Sequence, residues 1–173
     1  MTVSSAIKPW FVPESVDHTV TIGTVAGVWL RATGYAWIAP LWMGLCGLGL
    51  GLALSRWTGG EPFDVRYAVL VPVGAAVHTV GHLMGGALVG APMDGLVLNS
   101  SIPFDVYPTR AGSRAVHLAR ALGGPILSAL VGAVFLGFGG ALPTYFGALN
   151  VFIALGALMP VRDIDGSVVW RSL

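Results

Sequence analysis

Four long apolar runs limit what this chain can become: Ala36–Leu54, Arg66–Gly90, Ala115–Phe138 and Ala141–Pro160. Each approaches the roughly 20 residues that a helix needs to cross about 30 Å of hydrocarbon. Charged residues make up 10% of the chain and the mean hydropathy is +0.79. Ordinary soluble domains carry about 25% charged residues. The expected fold class is therefore an all-α polytopic membrane protein with about four transmembrane helices, and its first partner is the lipid bilayer. A net charge of +1 gives no basic surface for nucleic acid. The single cysteine, Cys46, excludes an internal disulfide and any multi-cysteine metal site, and its apolar surroundings read as packing.

Two segments fall outside the runs. Residues 1–35 form a polar and interfacial stretch, and 36–173 the membrane domain. Met1–Asp17 carries Pro9 and Pro13 and lacks the basic start, apolar centre and cleavage site of a signal peptide, so it is expected to be retained. Val20–Leu30 is apolar but too short to span, which predicts an interfacial or re-entrant helix. Between the second and third runs, Gly95–Phe104 is β-prone and lies between Pro92 and Pro108. This predicts a short β-hairpin-like or extended segment, with a plain loop as the alternative. With four spans, Lys8, Arg31, Arg110, Arg114, Arg162 and Arg171 share one side of the membrane, and Arg56 and Arg66 the other. The positive-inside rule then places both termini and the Ala91–Arg114 loop in the cytoplasm.

The chemistry concentrates in the second run, at His78-Thr79-Val80-Gly81-His82. Histidines at i and i+4 share one helix face, a spacing suited to zinc, which binds imidazole nitrogen at about 2.0–2.1 Å. Zinc proteases with this spacing place a Glu after the first His as general base. Here that position is Thr79, whose hydroxyl cannot take a proton near neutral pH. At 1.5 Å per residue, His82 lies about 12 Å below the end of its helix at Gly90, and His78 about 18 Å. Asp165 follows the fourth run on the same side of the membrane. Gly123-Gly124-Pro125 is expected to break the third helix at the depth of His82. A lone histidine in a membrane helix is ordinarily a hydrogen-bonded packing residue. A pair with an acid and a helix break at matched depth points instead to a metal site. His117, between Arg114 and Arg120, reads as interfacial, and His18 has no visible partner.

From roughly Val71 to Trp170 the chain resembles the site-2 protease family of intramembrane zinc metalloproteases, which implies a site-2-protease-like core of about 66–170 within the membrane domain. That family has His-Glu-x-x-His in one membrane helix, then a hairpin segment. A Gly-Pro with a following Asn comes in the next helix, and a late Asn-x-x-Pro-x-x-x-x-Asp-Gly after that. This sequence offers His78–His82, Gly90–Pro108, Gly124-Pro125 with Ser128, and Pro160-Val161-Arg162-Asp163-Ile164-Asp165-Gly166. The resemblance implies that His78, His82 and Asp165 are zinc ligands. Thr79 stands for the base, Ser128 and Ala157 for the two Asn, and Asn150 lies earlier in the fourth run. Of the two glutamates, Glu14 and Glu61, the second precedes the second run on the opposite side of the membrane and cannot reach the site, and Asp64 lies toward that opposite face. Asp94 and Asp163 are the acids considered as substitute bases.

The leading expectation is a catalytically impaired homologue that acts as a binding or scaffolding unit with a membrane-protein partner. One alternative is an active zinc peptidase with a relocated base. Another is an accessory subunit of a larger membrane complex that ligates a cofactor through His78 or His82. The six tryptophans mostly flank the runs and read as an interfacial belt.

Overall fold

The computed structural model describes residues 19–58, 66–100, 103–107, 113–161 and 164–172. Glu14, His18, Glu61, Asp64 and Asp163 lie outside the described residues. The elements run β1 (Val20–Val25), β2 (Val28–Ala32), α1 (Ile38–Thr58), α2 (Arg66–Leu88), β3 (Gly95–Leu98), β4 (Phe104–Val106), α3 (Arg114–Phe138), α4 (Ala141–Ala157) and α5 (Asp165–Arg171).

The four apolar runs become α1 to α4. Two of these, α2 and α3, are long and apolar enough to cross a membrane, while α4 and the apolar part of α1 are shorter. Their outer faces carry exposed Phe138, Phe152, Leu88 and Leu155, the last 64% exposed. Such faces suit hydrocarbon and not water. α2 packs against α3, α3 against α4, and α1 against α2. A core of Tyr67, Tyr145, Phe146 and Leu149 joins α2 to α4, with Tyr67 and Tyr145 edge to face at 4.7 Å. Along α2 this core lies 11 residues, about 16 Å, from His78.

Two expectations are corrected here. The all-α class is incomplete, because a four-stranded sheet in the order β1-β2-β3-β4 sits beside the helices. Val20–Leu30 is not an interfacial helix but most of an antiparallel hairpin, with Val20 opposite Ala32 and Val25 opposite Val28. The physical reason is local. Val-Thr-Ile-Gly-Thr-Val is rich in β-branched residues, and Ala26-Gly27 turns the chain with φ of 50° and 83°. β2 then pairs in parallel with β3, Trp29 opposite Gly95, and β3 pairs with β4 as the expected hairpin. The sheet thereby ties the start of the chain to the loop between α2 and α3.

Nor does Gly123-Gly124-Pro125 break a helix, since α3 runs through it from Arg114 to Phe138. Proline costs one backbone hydrogen bond. The glycines instead allow close approach. A Cβ on Gly81 would strike the Gly123 carbonyl, and one on Gly123 would strike that of Gly81. α2 and α3 therefore touch backbone to backbone beside His82.

Candidate metal centre

Three elements converge at this contact. α2 supplies His78 and His82 one turn apart. α5 supplies Asp165, turned back toward the bundle after the end of α4. Gly166 makes that return possible, because any Cβ there would meet the Leu158 and Met159 carbonyls. Trp170 Nε1 donates to Leu158 O at 2.9 Å and pins α5 to the α4 terminus. The depth-matched approach of Asp165 expected from the sequence is thus achieved by a short helix docked under α4 and α3.

His78 Nε2 and His82 Nε2 are 3.0 Å apart. Asp165 Oδ2 is 3.0 Å from the first and 3.3 Å from the second. Two ligands at about 2.05 Å from a tetrahedral ion stand about 3.3 Å apart. The three donor atoms therefore already have the mutual spacing that such an ion requires. His82 is buried, and His78 and Asp165 are partly buried.

Each imidazole is held from behind. His82 Nδ1 lies 2.8 Å from the Arg120 carbonyl oxygen, which can only accept, so this nitrogen carries the proton. His82 Nε2 is thereby left with its lone pair facing the cluster. His78 Nδ1 meets Ser128 Oγ at 3.2 Å, and Ser128 is fully buried. Ser128, read as a departure from Asn, therefore orients a candidate ligand. Gly124 completes the cradle: a Cβ there would press on the Nε2 atoms of both histidines. The Asp165 carboxyl, which burial alone would raise, is held below the usual carboxylate range by the His78 and His82 imidazoles beside it.

The other candidates are placed differently. Thr79 Oγ1 donates to Ala75 O at 3.2 Å, bonding back onto its own helix. Asp94 is exposed at the start of the sheet, where its backbone serves β2 and β4. His117 lies on the exposed side of α3 beside Arg114 and Arg171, in a shallow cavity, and is not part of the cluster. Asn150 is fully buried with Nδ2 bonded to Phe146 O at 2.9 Å, and does not reach the histidines.

Sequence reasoning missed Asp105, Tyr107 and Arg120. Arg120 is buried, donates through Nε to Ala91 O at 3.0 Å, and lies over the Tyr107 ring at 4.2 Å. Burial pushes the Asp105 carboxyl up to about 6, although the nearby His82 opposes the rise. The available signal was a lone acid inside a β-prone segment, Phe104-Asp105-Val106-Tyr107.

No protein-family model matches the chain, and no curated relative does. Among solved structures, the site-2 protease from Methanocaldococcus jannaschii is similar, with a TM-score of 0.59 and 17% sequence identity. The match covers 89% of this chain and 70% of that one. The chain has a site-2-protease-like fold, in agreement with the resemblance read from its motifs.

Proposed function

We propose that this chain is an integral membrane metalloprotein of site-2 protease type that hydrolyses a peptide bond within the membrane, slowly, using one zinc ion held by His78, His82 and Asp165. One observation carries this reading: three donor atoms at tetrahedral spacing, with each imidazole already oriented by its own partner. When bound, zinc supplies a Lewis acid for a carbonyl and lowers the pKa of water. The chain's own residues do the positioning. Ser128 and Arg120 fix the ring orientations, and Gly124 keeps the space between the two Nε2 atoms open. Outer partners of this kind are worth about 10–100-fold in metal affinity. Ser128→Ala is accordingly expected to weaken zinc binding by about 10-fold or more without changing the fold. Competition with a zinc chelator measures this, and an unchanged affinity would remove Ser128 from the site.

A second reading is an impaired homologue without hydrolysis, serving as a binding or scaffolding unit for a membrane partner. The engagement of Thr79 with Ala75 favours it, because position 79 offers no base. The reading as a cofactor-ligating accessory subunit is supported less. The two Nε2 atoms face each other and Asp165, and do not present one axial nitrogen to an open plane. The deciding experiment is hydrolysis of a membrane-helix peptide by zinc-loaded protein, with His78→Ala as the negative control. Cleavage lost in the control supports the peptidase. Cleavage only after Thr79→Glu supports the scaffold, and none in either variant removes metallopeptidase chemistry.

The same reading includes four spans with both termini and the α2–α3 loop in the cytoplasm, supported by the arginine and lysine asymmetry. Cysteines introduced at Ser101 and Gly60 are expected to label from the cytoplasmic and opposite sides respectively. Labelling of the Ser101 site from outside would reverse the orientation.

A further inference from the structure

Basic side chains of α3 and α5 gather in a part of the molecule that the metal centre does not use. Arg114 and His117 stand three residues apart at the start of α3, and Val168 and Arg171 three apart in α5, so each pair shares one helix face. With Ser172 they line one shallow cavity of about 380 Å³. Among the described residues, no acid lines it, and Arg114 has no ion-pair partner. Arg171 is held by Ser167, with Nε donating to its carbonyl oxygen at 3.0 Å and Nη2 to its Oγ at 3.1 Å. Those bonds fix the guanidinium without neutralising it. Two like charges on different helices repel across a shared space. An anion between them replaces that repulsion with charge-assisted hydrogen bonds. The His117 ring and the Ser172 hydroxyl add further donors. Such a set suits a phosphate group, whose oxygens accept several hydrogen bonds at once and which arginine recognises well.

The position of the cavity indicates where that phosphate comes from. At 1.5 Å per residue the 25 residues of α3 reach about 37 Å, more than the roughly 30 Å of hydrocarbon. Arg114, His117 and Arg120 all lie at one end of α3, and from Ala121 to Phe138 it carries no charge. The Arg114 end therefore projects into the headgroup layer. Trp170, adjacent to Arg171, is exposed, as aromatic residues at that depth are. It is bonded to the end of α4, where Met159 and Val161 are exposed apolar residues. Basic donors at headgroup depth with apolar surface nearby match the two parts of a phospholipid, and basic pockets between membrane helices bind anionic headgroups.

We propose that this cavity binds the phosphate of an anionic phospholipid headgroup, with Arg114 of α3 and Arg171 of α5 as its paired cationic contacts. A phosphate held there bridges α3 to α5, the short helix whose first residue is Asp165. The site is separate from the metal cluster, and its occupancy requires neither zinc nor peptide hydrolysis.

The test uses the full-length protein in a neutral detergent, titrated with phosphatidylglycerol and read by native mass spectrometry. One phosphatidylglycerol is expected to bind ahead of any phosphatidylcholine, whose ammonium group offsets the phosphate charge. Arg114→Gln is expected to weaken this first event about 5-fold, the effect of one basic residue at an anionic membrane surface. Adding Arg171→Gln is expected to bring the loss to about 25-fold. Because Arg114 has no ion-pair partner among the described residues, its single variant tests the cavity without releasing α5 from Ser167. Arg31→Gln removes the same charge from an exposed position on β2 and is expected to change nothing. Inorganic phosphate at millimolar concentration is expected to leave the lipid in place. Displacement by it would assign the cavity to the free anion and overturn the lipid assignment. Equal binding of phosphatidylcholine, or native affinity in the double variant, overturns the proposal. So does an equal loss in Arg31→Gln, which would reveal only diffuse surface charge.

Discussion

Gly124→Ala is expected to abolish zinc binding as completely as His82→Ala, although glycine offers no ligand atom. The added methyl would sit between the two Nε2 atoms, closer than real Cβ atoms approach their neighbours. Helix separation would relieve this only by giving up the backbone contact that Gly81 and Gly123 allow one residue away. The rings would have to rotate, which breaks the bonds to Ser128 and the Arg120 carbonyl. Both the ligand geometry and its outer support are then lost. The affinity should fall by more than the roughly 100-fold attributed to outer partners alone. Gly137→Ala on the same helix, where a Cβ meets nothing within 4 Å, is the control and should bind normally. Metal content after gel filtration, with helicity from circular dichroism, measures the effect. A Gly124→Ala protein that holds zinc with native affinity would mean that the ion does not sit among these three residues.

Thr79→Glu carries the largest expected gain. It places a carboxylate one residue after His78, on the helix that presents both imidazoles. A positioned general base contributes about 10²–10⁴-fold, so peptide hydrolysis should rise within that range. Thr79→Gln has nearly the same shape and no basic carboxylate, and should give no gain. The substitution also places a charge in a partly buried site and releases the Ala75 carbonyl from its hydroxyl donor. Some loss of thermal stability is expected alongside the gain. Turnover per bound zinc separates the two effects. If Thr79→Glu binds zinc and shows no increase, the ligand cluster does not position a peptide for hydrolysis.

Much of the scaffold was legible in the residues. Apolar runs with few charges could only become helices, because unpaired backbone groups are too costly in hydrocarbon. The run boundaries agree with α1 to α4 within a few residues. The His78–His82 pair was legible because i, i+4 spacing places side chains together on any helix. Asp165 could be included because the late motif keeps its distance from Pro160, although the short helix that carries it was not expected.

The rest depended on tertiary structure, for identifiable reasons. Whether Val20–Leu30 is strand or helix was not decided by hydropathy, since both bury apolar residues. The Ala26-Gly27 turn and the distant β3 edge made it a strand. Gly123-Gly124-Pro125 looked like a break because its glycines were read as local flexibility, whereas the opposing α2 backbone requires them for contact. No spacing rule links Asp105 or Arg120 to His82, because strand pairing and helix packing join residues far apart in sequence. By itself, the sequence determined the helices, the facing histidines and the absence of a base at position 79. Only the tertiary structure decided which groups orient those histidines, because such contacts form between segments that meet only after the helices have packed.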